Sequence, residues 1–152
     1  MHIVLVEPEI PGNTGNIARL CAATGCHLHL VRPLGFSVED KYLKRAGLDY
    51  WHLVKIKEWD SYEDFLKGNP DGNFYYATTK CKNRYTDVKY KENDFIIFGP
   101  ESRGLPKEIL EANPDKCITI PMIEMGRSLN LSNSAAIILY EALRQTDFNF
   151  GE

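Results

Sequence analysis

At 152 residues the chain has the length of one domain, long enough to bury a core without disulfide staples. Its 43% hydrophobic and 26% charged residues are those of an ordinary globule, which excludes a disordered or fibrous chain. A net charge of −3 excludes a generally basic nucleic-acid binder, so any RNA contact must come from a local patch or from a second subunit.

The elements alternate along the chain. His2 to Val6 is a short apolar run that reads as a strand. Asn13 and Thr14 are placed to cap a helix through Ile17, Ala18, Leu20, Cys21 and Ala22, which Gly25 ends. His27 to Val31 is a second strand. Ser37 to Ala46 has helical charge density, with Ser37 as its cap. Leu53 to Ile56 reads as a weak strand. Ser61 to Leu66 reads as a short helix capped by Asp60. A turn at Gly68 to Asn73 precedes strands at Phe74 to Thr78 and Phe95 to Phe98. Pro106 to Ala112 is a helix with proline in its first turn, Cys117 to Ile120 the last strand, and Leu131 to Gln145 the longest helix. This order predicts an α/β fold, a mostly parallel sheet with helices on both faces and a ligand at the carboxyl ends of the strands.

Other features narrow the chemistry. No apolar stretch reaches membrane-spanning length, and the N-terminus lacks the charged and cleavable parts of a signal peptide. Cys21, Cys26, Cys81 and Cys117 form no CxxC pair and read as reduced thiols of a cytoplasmic protein. His2, His27, His29 and His52 lack metal-ligand spacing, so no metal is expected.

Four segments are candidates for function. Gly99-Pro-Glu-Ser-Arg-Gly104-Leu-Pro106 follows a buried strand, but Leu105 and Pro106 stand where a phosphate-binding P-loop needs Lys and Ser/Thr. It is either a plain βα turn or a place where a ligand meets bare backbone. Asn13 to Arg19 is either an ordinary helix start or one that carries an arginine to an anionic partner. Lys80 to Lys91 mixes five basic residues and two tyrosines with one acid, Asp87, which suits phosphate contact and base stacking as well as a solvated loop. Arg127 to Ser134 holds more serine and asparagine than one helix cap requires.

Together these motifs resemble the SPOUT-class RNA methyltransferases, within the TrmH-like group, and are most similar to the TrmL (YibK-type) tRNA 2′-O-methyltransferases. The likeness runs from Glu7-Pro-Glu-Ile-Pro11 and Asn13 to Arg19, through Arg45 to Tyr50 and Thr78 to Lys80. It continues over Phe98 to Pro106 and Ile120 to Met122, and ends in Ser128-Leu-Asn-Leu-Ser-Asn133. The chain stops soon after its last helix, as minimal members of that group do.

The resemblance implies a C-terminal deep trefoil knot, which generic chain rules would not suggest. It implies S-adenosyl-L-methionine as methyl donor, held at Ala77, Thr78, Gly99, Gly104, Ile120, Met122, Ser128 and Leu129. It implies a homodimer acting on tRNA, with Arg19, Asn13, Glu101, Ser128 and Asn130 around the acceptor ribose. The expected product is a 2′-O-methylated wobble nucleotide, C34 or a modified U34, in leucine tRNAs. Because a guanidinium stays protonated at neutral pH, Arg19 suits charge stabilisation better than proton abstraction. Ser128 and Asn130 are placed to orient the hydroxyl, and Glu101 to hold Arg19 or its own loop. Three other readings compete: 2′-O-methylation of another RNA or position, a small nicotinamide- or flavin-binding enzyme, and a non-catalytic RNA-binding module of the same fold. The lack of GxGxxG after the first strand counts against a nicotinamide or flavin site.

Overall fold

Strand β1 (His2–Val6) sits at the centre of a six-stranded parallel sheet in the computed structural model of the chain, which describes residues 1–37, 39, 41, 43, 45, 51–124 and 126–150. The other elements are helix α1 (Pro11–Thr24), β2 (His27–Val31), β3 (Ile56–Trp59), α2 (Tyr62–Gly68) and β4 (Phe74–Ala77). They are followed by β5 (Phe95–Phe98), α3 (Lys107–Ala112), a 3-10 turn at Pro114–Lys116, β6 (Cys117–Ile118) and α4 (Leu131–Gln145). The order across the sheet is β3-β2-β1-β5-β4-β6, and every pairing is parallel.

Burial on both faces follows from the apolar runs. Ile3, Leu5, Leu28, Leu30 and Ile96 pack with Ile17, Ala18 and Cys21 of α1 and with Ala135, Ile138 and Leu139 of α4. Val4, Val6, Val31 and Ile97 point the other way, onto Phe65 of α2 and the partly buried Ile109 and Leu110 of α3. Successive strand residues thus serve opposite layers, as a sheet covered on both faces requires.

Several expectations are corrected. The third strand starts at Ile56 rather than Leu53, because Ile56 aligns with Leu28 while Leu53 is 64% exposed. Helix α1 begins at Pro11, so Asn13 and Thr14 lie buried inside its first turn instead of capping it, whereas Gly25 ends it in the left-handed conformation (φ 72°). Ser61, not Asp60, caps α2, accepting the Asp64 N–H at 3.0 Å. Strand β4 ends at Ala77, and α3 starts after Pro106. Strand β6 spans only Cys117–Ile118, since Thr119 bridges to Arg84 instead. The helix expected over 37–46 and the motif at 45–50 fall largely outside the described residues.

Candidate functional site

The loops after β4, β5 and β6 and the start of α4 enclose a cavity of about 520 Å³ at the carboxyl edge of the sheet. Such a position follows from a parallel sheet, where the loops at the carboxyl ends of the strands are free to converge on a ligand. Ala77 and Thr78 contribute from the end of β4, Gly99 and Gly104 from the turn after β5, Ile120 and Met122 from the segment after β6. Ser128, Leu129 and Asn130 close it before α4, and Glu101 and Asn13 form its inner edge. Arg19 is not among the lining residues; it lies on the exposed side of α1.

The glycine turn is folded on itself. A Cβ on Gly99 would lie 2.3 Å from the carbonyl carbon of Gly104 and from the Leu105 nitrogen, so only glycine lets the strand meet the turn. Gly104 has φ 69° and donates its N–H to the Pro100 carbonyl at 2.8 Å, while a Cβ there would meet nothing within 4 Å. Bare backbone with open space beside it is thus found at Gly104, while Gly99 lets the turn close on itself.

Glu101 draws three donors together. Its carboxylate accepts the N–H groups of Glu9 at 2.9 Å and Ile10 at 2.8 Å, and the Asn13 amide at 3.3 Å. Helix α1 has no side-chain cap of its own, and this carboxylate occupies the favoured place for negative charge at a helix N-terminus. Asn13 in turn accepts the Asn130 amide N–H at 3.1 Å. The Asn130 oxygen caps α4 by accepting the N–H groups of Ser132 at 2.9 Å and Asn133 at 3.3 Å. One polar chain thus joins the starts of both helices on one face of the sheet.

The segment before α1 meets the glycine turn running in the opposite direction. Glu9 accepts from Ser102, and Glu7 pairs with Arg103 at 3.4 Å. Glu7 adopts φ 50°, an unusual conformation for a residue with a side chain, held by its N–H on the Val31 carbonyl at 2.8 Å. The Glu9 carboxyl sits below its usual range, chiefly through the Ser102 backbone N–H and then the Ser102 hydroxyl. Sequence reasoning quoted Glu7 and Glu9 within a motif but gave them no task. Their facing partners could be read only from the spatial pairing of two loops.

Part of the basic segment is folded back on the protein. Arg84 pairs with Asp87, and Tyr90 is buried, donating its hydroxyl to the Tyr85 carbonyl at 2.6 Å. Tyr90 is thereby removed from any stacking role, while Lys80, Lys82, Lys89 and Lys91 stay exposed. Among the described residues no group of His, Cys, Asp and Glu is placed to hold a metal ion. Nor is any helix among them long and apolar enough to cross a membrane.

The SpoU rRNA Methylase family matches residues 1–140. A Geobacillus stearothermophilus protein provisionally named tRNA (cytidine(34)-2′-O)-methyltransferase is 56% identical over 98% of this chain and 97% of its own. A Methylovorus glucosotrophus protein with that name is 52% identical over 96% of each chain. A solved structure described by the 2-OH methylation of C/U34 on tRNA superposes with TM-score 0.92, at 42% identity over 97% of both chains. An AdoMet-bound rRNA methyltransferase from Sinorhizobium meliloti superposes with TM-score 0.82, at 26% identity over 94% of this chain and 55% of that one.

Proposed function

The chain belongs to the SpoU methylase family, and from that premise we propose that it is an S-adenosylmethionine-dependent tRNA methyltransferase acting on the ribose 2′-hydroxyl of wobble nucleotide 34, C or a modified U, in leucine tRNAs. The observation that carries this reading is the cavity itself. It unites the glycine turn, the Asn13–Glu101–Asn130 chain and the start of α4, in a fold shared with relatives of that activity. Its volume and mixed lining suit a ligand of nucleoside size.

The residues fit the cofactor. Ile118, Ile120 and Leu129 offer an apolar wall, while Thr78 and the Gly99–Gly104 turn, open at Gly104, offer polar partners. When bound, S-adenosylmethionine supplies an electrophilic methyl group on a sulfonium. Ser128 and Asn130 orient the acceptor hydroxyl, and holding it in place lowers the barrier by fixing a near-attack geometry. Glu101 keeps the turn and α1 in register through its three donors. Arg19 stabilises the developing alkoxide or holds the adjoining phosphate.

Because Arg19 lies away from the cavity of its own chain, it serves the site of a second copy. The outward side of α4, with Ile137 and Tyr140 37% and 44% exposed, suits such a homodimer. The same reading includes one catalytic domain, a knotted C-terminal third and a cytoplasmic location.

Transfer of labelled methyl from S-adenosylmethionine to a tRNA pool lacking this modification, followed by nuclease mapping, tests the proposal. Label in a 2′-O-methylated wobble dinucleotide of leucine tRNAs is the expected outcome. Label at another position would move the substrate, and cofactor binding without transfer to any RNA would favour a non-catalytic module.

A further inference from the structure

Glu9 stands between the two loops that build the cavity, and none of the roles above uses its side chain. Its Oε1 accepts the Ser102 N–H at 2.8 Å, and its Oε2 accepts the Ser102 hydroxyl at 3.0 Å. In the opposite direction, the N–H of Glu9 donates to Glu101 at 2.9 Å. The two segments are thus cross-locked, each supplying a carboxylate to the backbone of the other.

The lock has a rigid back. The Gly35 N–H donates to the Pro8 carbonyl at 2.9 Å, and a Cβ on Gly35 would lie 2.9 Å from the Glu9 Cα. The Glu9 backbone is thus packed against Gly35, and its side chain turns to Ser102. Ser102 and Arg103 line the cavity between Gly99 and Gly104, at the tip of the turn that the Gly104 N–H closes onto Pro100.

We propose that Glu9 is a positioning residue for cofactor binding, holding the Gly99–Gly104 turn in its binding shape through Ser102. The proposal rests on the reading that this turn holds S-adenosylmethionine. Hydrogen bonds to a carboxylate are stronger than neutral ones, and here two converge on one residue of the turn. Losing both frees the turn to sample shapes that do not bind, and a binding-competent fraction below one lowers apparent affinity in proportion.

The test uses the full-length protein, calorimetric titration with S-adenosylmethionine, and kinetics at saturating tRNA. Glu9→Ala is expected to weaken cofactor binding about tenfold and raise its KM alike, with kcat within about twofold. Ser102→Ala keeps the backbone N–H and loses about threefold, and Glu9→Gln falls between the two. The Glu9→Ala/Ser102→Ala double variant binds no worse than Glu9→Ala alone, since both act through one contact. A Glu9→Ala protein that binds within about twofold of wild type overturns the proposal, as does a double variant that loses the product of the single losses. If Glu9→Ala does not fold, Glu9→Gln decides: unchanged affinity overturns the proposal and weakened affinity supports it. A wild-type protein that binds no S-adenosylmethionine overturns the cofactor reading itself, and this proposal with it.

Discussion

Glu101 accepts the backbone N–H of Ile10 at 2.8 Å across 91 residues of sequence, so the residue that leads into helix α1 is tied down by the loop of a distant strand. A helix leaves its first N–H groups without partners, and a residue just ahead of it usually supplies the acceptor. Here Ile10 occupies that position with no side-chain acceptor, its carbonyl alone taking the Asn13 and Thr14 N–H groups, while Glu101 satisfies the N–H of Ile10 itself. Glu101→Gln turns one acceptor oxygen into a donor that faces another donor. It is expected to lower stability by about 1–2 kcal/mol, read as a shift in the urea midpoint. An unchanged midpoint would mean that the contact adds nothing to the fold.

Asn130 separates capping from connection. Its oxygen caps α4, and its amide nitrogen reaches Asn13. Asn130→Asp keeps an oxygen for the cap and loses the donor to Asn13. The new oxygen faces the Asn13 oxygen, so stability is expected to fall by about 1 kcal/mol through that contact although the cap is kept, and methyl transfer drops at least about tenfold. Asn130→Ala loses both functions, with about 1 kcal/mol less stability. Equal activity of the Asp variant and wild type would remove Asn130 from the acceptor site.

The two glycines of the turn are expected to respond for different reasons. Gly99→Ala forces a methyl into backbone 2.3 Å away, so the turn must open and cofactor binding should fall below detection. Gly104→Ala meets no atom within 4 Å and pays only for its left-handed backbone, about 1–2 kcal/mol, with measurable binding retained. Calorimetry on both variants would expose an error if their losses were equal.

Arg19→Ala is expected to abolish turnover with cofactor affinity nearly intact. If Arg19 serves the partner's cavity, mixing Arg19→Ala with Ser128→Ala subunits restores activity, because each mixed dimer rebuilds one complete site. No recovery on mixing, with exchange of subunits verified, would place Arg19 in its own chain's site. A fully active Arg19→Ala protein would remove it from the mechanism.

A pH effect should come from the far edge of the sheet. Trp59 donates its indole N–H to His29 Nδ1 at 3.0 Å, and the His29 Nε2 lies 2.9 Å from His2 Nδ1. Trp59 can only donate, so the proton of a neutral His29 sits on Nε2 and points to His2. Burial, then the charges of His27 and His29, lowers His2 to about 3, and burial, then the charges of His27 and Lys57, lowers His29 to about 4. Between those values and 6.5 the unfolded chain takes up protons that the folded chain refuses, so stability falls as pH falls. Carboxylates such as Glu9, held low in the fold, add their own loss only at lower pH. Urea midpoints at pH 7.5 and 5.5 should therefore differ, and His2→Asn should reduce the difference. Identical midpoints would show that the imidazoles are protonated in the native state.

The legible parts of the fold were those whose signal is local. The runs at His2–Val6, His27–Val31 and Phe95–Phe98 are continuous enough to mark buried strands, and the stripe from Ala135 to Leu143 marks α4 at its observed limits. Leu53 misled because apolarity suggested pairing, whereas register with Leu28 places the strand at Ile56. Helix α1 starts ahead of Asn13 because Ile10 carries no capping side chain, and proline at the first helical position is the signal that marks it. For the site, each motif was visible by itself and the family likeness grouped them. The facing of Glu9 and Ser102 emerges only when β1 and β5 lie side by side in the sheet.

The contact between Ile10 and Glu101 also imposes an order on synthesis. A ribosome adds about 5–20 residues per second, so the interval of 91 residues between Ile10 and Glu101 lasts roughly 5–20 seconds. Throughout that interval the N–H groups of Glu9 and Ile10 lack this acceptor, and β1 lacks β5, its neighbour toward the cavity. The methyltransferase pocket takes its lining from the turn after β5 and from the start of α4, so it is complete only after both have emerged.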